Sequence, residues 1–159
     1  HMNKKVSKTK ALLGGILFVV VFNFINFLTS DDKLFTIIDV MEKEVELVTN
    51  DVTEINLTEV SSEAKNYTLT GTDIDKMMVY LNTTYIKKSK REIHTIDSTK
   101  YNIVLYTDEY TEYKLSKRFM IKQDSGKTYF QLFGKDVKKI ITYETEDNDL
   151  YDLVLSYLK

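Results

Sequence analysis

The chain has 159 residues, 22 basic against 24 acidic side chains, a net charge of −2, and neither Cys, Pro nor Trp. Without Cys there is no thiol catalysis, no thiolate metal site and no disulfide, so a domain of this size must be held by packing. All four lysines of the first ten residues lie ahead of any acidic residue, which leaves 18 basic against 24 acidic residues beyond them, about −6. That balance disfavours general nucleic-acid binding, which depends on neutralising phosphates.

Residues 11–28 are an uncharged run of fourteen apolar residues, two Gly and two Asn. As a helix rising about 1.5 Å per residue it would measure roughly 27 Å, close to the thickness of a bilayer's hydrocarbon core. Lys4, Lys5, Lys8 and Lys10 precede it and Asp31 and Asp32 follow it. The lysine bias places the N-terminus in the cytoplasm and the remainder outside. The expectation is an uncleaved single-pass membrane anchor. The competing readings are a cleaved signal peptide, for which the run is long and Phe27-Leu28-Thr29-Ser30 a poor cleavage site, and a buried soluble helix. No Cys follows, so a lipid-modified Cys is excluded. The order of basic residues, apolar run and Leu34-Phe35-Thr36 also excludes a type IV pilin leader, whose processing motif precedes the run. Asn23 and Asn26 share a helical face, placed near the headgroups or in a helix contact. His1 reads as a cloning remnant ahead of Met2.

Thr29 to Lys33 is the only linker candidate. Leu34, Ile37, Ile38, Met41, Val45 and Val48 recur at helical spacing, and the same stretch also reads as extended. We expect a helix over 34–42 and a strand from 44, the whole of 29–50 serving as linker or stalk. The extracytoplasmic domain proper is expected at 51–159. Asp51 to Val60 and Asn66 to Thr70 read as strands, the second ended by Gly71. Thr72-Asp73-Ile74-Asp75 has the form of a capping box, and Ile74, Met77, Met78 and Leu81 continue one apolar helical face to about Thr83.

From Tyr85 the period becomes two. Tyr101 to Tyr106 is expected to be a strand with apolar groups on both faces. Tyr113, Leu115, Phe119 and Ile121 mark one face of a long strand, with Lys117 the exception. Asp124-Ser125-Gly126-Lys127 reads as a hairpin turn, Thr128 to Phe133 as its returning strand, and Lys138 to Glu144 as a further strand. Asp147 or Asn148 caps a last helix carrying Leu150, Leu153, Val154, Tyr157 and Leu158. Segregated strands and helices imply an α+β fold: an N-terminal transmembrane helix, then an antiparallel sheet with two packed helices.

Few constellations suggest chemistry. His94 is the only histidine after His1, and no nucleophile elbow accompanies it. The acidic stretch Glu144 to Asp152 lacks the Gly and alternating ligands of a calcium loop, and carboxylates are expected at a helix N-terminus. No catalytic residue, metal ligand or cofactor is assigned. All eleven tyrosines lie at or after Tyr67. Those on strands, including Tyr101, Tyr106, Tyr110, Tyr113, Tyr129 and Tyr143, suit packing, and an exposed set would suit glycan or peptide. Sequons at Asn56, Asn66 and Asn82 carry no meaning in a bacterium. The one candidate binding site is the basic cluster Lys87, Lys88, Lys90 and Arg91, either a solvated strand edge or a docking patch for an acidic partner or a polyanion such as teichoic acid.

From Val52 onward, the Thr-x-x-Asp helix start, the Gly126-Lys127-Thr128-Tyr129-Phe130 hairpin and the closing Leu/Tyr helix resemble small exported domains of uncharacterised lipoproteins and membrane-anchored proteins of Firmicutes. The resemblance implies an extracytoplasmic α+β domain and transfers no site residues. The expected function is a non-catalytic interaction domain, anchored through 11–28 beside a membrane protein partner and without nucleic acid. A surface immunity or exclusion protein that intercepts a peptide toxin or phage component, and a small envelope hydrolase, are the alternatives.

Overall fold

The computed structural model describes residues 14–24, 33–45, 52–107, 115–134, 137 and 139–159. The expectations for residues 1–13 and 25–32, Val48, Asp51, Tyr110, Tyr113 and Lys138 lie outside the described residues. Residues 1–33 and 34–159 form two separate units. In the first, residues 14–24 form a helix, α1, whose side chains are all exposed, with Phe18 and Phe22 stacked 6.1 Å apart one turn from each other. Among the described residues no helix is long and apolar enough to cross a membrane. The described α1 covers only part of the 11–28 run.

The second unit is α+β. Its elements are β1 (Phe35–Thr36), α2 (Ile37–Val45), β2 (Val52–Val60), β3 (Asn66–Leu69), α3 (Thr72–Thr83), β4 (Tyr85–Lys88), β5 (Lys100–Thr107), β6 (Leu115–Asp124), β7 (Lys127–Phe133), β8 (Thr142–Thr145) and α4 (Asp149–Leu158). The eight strands form one sheet in the order β1-β4-β8-β7-β6-β5-β2-β3, and every pairing is antiparallel.

Strand periodicity assigns the two faces. Ile55 and Leu57 lie opposite Leu105 and Ile103. Phe119 and Ile121 lie opposite Ile103 and Tyr101 on one side and Leu132 and Phe130 on the other. All are buried with Ile37, Ile38, Val40, Met41, Ile74, Met77, Leu81, Leu150, Val154 and Leu158 from the helices in one core. Every core residue lies between Ile37 and Leu158, so the second unit contains its own core. The opposite face is partly covered by the segment after β4, whose 3-10 turn (Ile93–Thr95) sets Ile93 and Ile96 against Tyr129 and Met120.

Several expectations need correction. Residues 34–45 are no stalk: Met41 is fully buried, and Ile37, Ile38 and Val40 are buried beside it. The helix runs through Val45, so no strand begins at 44. Three helices of this unit contribute to the core rather than two. Strand β5, by contrast, carries apolar groups on both faces as expected, with Tyr101, Ile103 and Leu105 buried on one and Val104 and Tyr106 half-buried on the other. Strand β8 is confined to Thr142–Thr145.

The capping box is also displaced. At α3 the N-cap is Gly71, at φ 58°, and no side chain caps the helix. Thr72 is thus already helical, one residue too far along to cap. The reciprocal pair forms instead at α2. Asp39 N–H donates to Thr36 Oγ1 at 3.0 Å, and Thr36 N–H donates to Asp39 Oδ2 at 3.2 Å. The β6–β7 hairpin closes as expected. Ser125 and Gly126 both have positive φ, 52° and 77°, the pattern of a type I′ turn.

Candidate functional site

A groove of about 550 Å³ opens between α2, α3 and the start of β2, lined by Ile38, Glu42, Val52, Ile74, Asp75, Met78, Val79 and Asn82. Local sequence explains it. On α3 the buried residues Ile74, Met77 and Leu81 point to the core, while Asp75, Met78, Val79 and Asn82 recur at spacings of three and four along the flank beside them. On α2, Ile38 and Glu42 are one turn apart and therefore share a face. Ile38 and Ile74 are buried and form the floor, with Val52 and Met78 half-buried. Val79 is 59% exposed. Glu42, Asp75 and Asn82 are exposed and have no hydrogen-bond or ion-pair partner among the described residues. Among the described residues no Lys or Arg lines the groove. The described arrangement sets two carboxylates and an amide at the rim above Ile38, Val52, Ile74 and Met78.

The basic cluster is divided by the register. Lys87 lies across from Glu144 and Lys88 across from Tyr143. Glu144 also accepts a hydrogen bond from Lys127 Nζ at 2.7 Å. Burial would raise the Glu144 pKa, but hydrogen bonds from Lys127 and Ser89, with the charges of Lys127 and Lys87, leave it below the ordinary value. Arg91 pairs with Asp124 and stands over the Tyr129 ring, 5.7 Å from its centroid. The hydrogen bond holds Asp124 below its usual pKa and raises that of Arg91. Lys88 and Lys90 are exposed. Of the four expected binding residues, then, one is committed to an ion pair, one faces a carboxylate, and two project into solvent. β4 is not an edge: it lies between β1 and β8.

His94 sits on the 3-10 turn, exposed and 3.1 Å from Glu92. In the acidic stretch, Asp147 Oδ1 accepts from the Asp149 N–H at 3.0 Å at the start of α4. Asn148, the N-cap, makes no capping bond. Its side chain accepts from Thr128 Oγ1 at 2.7 Å and donates to the Gly126 carbonyl at 2.9 Å, tying α4 to the hairpin. Among the described residues no group of three or more acidic or His side chains is placed to hold a metal ion.

Among the described residues the tyrosines form two ring pairs. Tyr67 stacks on Tyr157 at 5.3 Å, and Tyr157 donates to Asp73 at 3.1 Å. Tyr101 meets Tyr151 edge-on, and burial pushes its pKa up to about 12.

Sequence reasoning missed the groove. Its signal was the second stripe on α3, Asp75-Met78-Val79-Asn82, which needed α2 in the domain to become a wall. No family model, curated protein or solved structure matches the chain.

Proposed function

We propose that the chain is a non-catalytic, membrane-anchored interaction domain that binds a protein partner at the cell surface. The 11–28 run is the anchor, the lysines before it stay in the cytoplasm, and residues 34–159 lie outside. The observation that carries the reading is the α2–α3 groove: an apolar floor with unpartnered polar groups at its rim suits recognition rather than turnover. Tethering confines the domain to two dimensions and raises its effective concentration for a neighbouring membrane protein.

The chain has no Cys of its own, so single cysteines test both halves of the proposal. A membrane-impermeant maleimide applied to intact cells should label Val79→Cys and spare Lys8→Cys. A photo-crosslinking residue at Val79 should then capture a membrane protein in near-equal amount, and one at Tyr106 on the opposite sheet face should not. Labelling of Lys8→Cys overturns the orientation. Equal capture at both positions, or none at Val79, overturns the interaction role of the groove.

A further inference from the structure

Asn23 carries the one polar side chain of α1. It is exposed, and no described residue hydrogen-bonds to its amide. On the anchor reading its depth decides its fate. Asn23 is the thirteenth of the eighteen residues in the 11–28 run. At about 1.5 Å per residue it lies about 5 Å outward of the centre of the run, and so about 10 Å inside the boundary of a ~30 Å hydrocarbon core. A long Lys or Arg side chain reaches the headgroups from such a depth; an amide on a single methylene does not. Lipid offers it no hydrogen bond, so an unpartnered amide there is costly.

The rest of α1 shows where a partner sits. With 3.6 residues per turn, Ile16, Val19, Val20 and Asn23 fall within one arc of about 100°. The three apolar members are all β-branched, with little rotamer freedom to lose on packing. Phe18, Phe22 and Phe24 each lie about 100° or more from Asn23 around the helix, and Phe18 and Phe22 stack on each other. The aromatic side thus faces lipid, and the β-branched side is left for a helix. Ile16, Val19 and Asn23 have the a, d, a spacing of a coiled-coil seam, in which one Asn at an a position fixes register and partner number.

A second copy of the chain meets the requirement without further assumption. It inserts in the same direction, so its Asn23 lies at the same depth. An amide both donates and accepts, and across a two-fold axis each Nδ2–H reaches the other copy's Oδ1. We infer that α1 pairs in parallel with α1 of a second copy, Asn23 against Asn23, with Ile16, Val19 and Val20 packed along the seam. The inference rests on the anchor reading proposed above and goes beyond it by naming the anchor's partner and its contact face. Pairing brings two interaction domains to one point of the membrane, so a partner with two equivalent sites is bound bivalently.

The chain has no Cys of its own, so single-Cys variants of the full chain in phosphatidylcholine vesicles test the pairing by oxidation. Ile16→Cys and Val19→Cys should cross-link as dimers, and Phe18→Cys and Val21→Cys on the far side should not. Energy transfer between copies labelled at Lys90→Cys, followed as the vesicles are diluted with lipid, measures the association itself. Asn23→Val should weaken it about tenfold, and Asn23→Gln, which keeps the amide, should recover most of the loss. Equal cross-linking on both sides, none at Ile16→Cys and Val19→Cys, or an unchanged dilution midpoint for Asn23→Val would overturn the inference. Carbonate extraction of the same vesicles separates the two readings. A chain that carbonate removes overturns the anchor and the pairing with it, whereas an inserted chain that stays monomeric removes the pairing alone.

Discussion

The chain contains Thr-x-x-Asp twice, at 36–39 and 72–75, and only the first closes into a capping box. Thr36→Ala removes the acceptor for the Asp39 N–H from a residue 6% exposed, which should cost about 1 kcal/mol. For a domain of this size that lowers Tm by about 3–5 °C. Asp39→Ala removes the returning bond and a carboxylate from the first turn of α2, about another 1 kcal/mol by itself. The two bonds share one geometry, so the double variant should cost less than the sum. Thr36→Ser keeps the hydroxyl and should recover most of the loss. Thr72→Ala should stay within about 0.3 kcal/mol of the parent, because Gly71 occupies the cap position. Urea unfolding of residues 33–159 followed by far-UV circular dichroism measures all five. The comparison reaches beyond the cap. If α2 were a stalk outside the cooperative unit, Thr36→Ala would leave the global midpoint unchanged. Met41→Ala, which should cost about 3 kcal/mol by emptying a fully buried site, would leave it unchanged too. A silent Thr36→Ala, or a Thr72→Ala of equal size, refutes the reasoning.

Ser125 holds φ 52° in the hairpin turn, and Asn tolerates that conformation better, so Ser125→Asn should raise Tm by about 1–3 °C; a fall in Tm would count against the turn assignment. Asp124 and Glu144 both have lowered pKa values in the fold, so the stability they contribute is full above the ordinary carboxylate range and is lost as pH falls through their folded values. Acid unfolding of Arg91→Gln should therefore lose part of its steepness below about pH 4, and a curve parallel to the parent's would contradict the pairing. Tyr101 is shifted the other way, up to about 12. Its contribution is full below the ordinary tyrosine pKa near 10 and disappears as pH rises through the folded value. Ultraviolet titration at tyrosinate wavelengths should show a late-ionising step that Tyr101→Phe removes; a single step near pH 10 in the parent would argue against burial as its cause.

Much of the fold was legible because period and turn chemistry are local. β2, β3, α3 and the β6–β7 hairpin fall within a residue or two of the expected spans. Ser125-Gly126 could hardly be anything but a turn, and Ile74, Met77 and Leu81 mark a helix face wherever the helix packs. What was not legible depends on partners distant in sequence. Residues 34–45 look like a free amphipathic helix until β1 pairs Phe35 with Ile86 and Thr36 with Tyr85, which draws α2 over the sheet and buries Met41. Likewise the capping motif identifies a helix start only to within a residue. One step of register decides whether the hydroxyl sits at the cap or on the first turn, and Gly71, free to adopt a positive φ, takes the cap at α3.

The basic cluster shows the same limit in charge rather than geometry. Five consecutive residues with four cations look like a patch in one dimension. Antiparallel pairing brings a carboxylate to Lys87 from β8, and the hairpin turn brings Asp124 to Arg91. Both acceptors lie more than thirty residues away in sequence. The groove is the reverse case. Glu42 and Asp75 sit among ordinary alternating charges on two helices and attract no notice, yet the packing of α2 on α3 leaves both without a partner among the described residues, above Ile38 and Ile74. Opposite charges drawn together by folding neutralise one another and lose reach, whereas like charges drawn together over a cavity retain theirs. On the proposed interaction role, charge reversal at Glu42 and Asp75 should disturb partner binding more than charge reversal at Lys88 and Lys90.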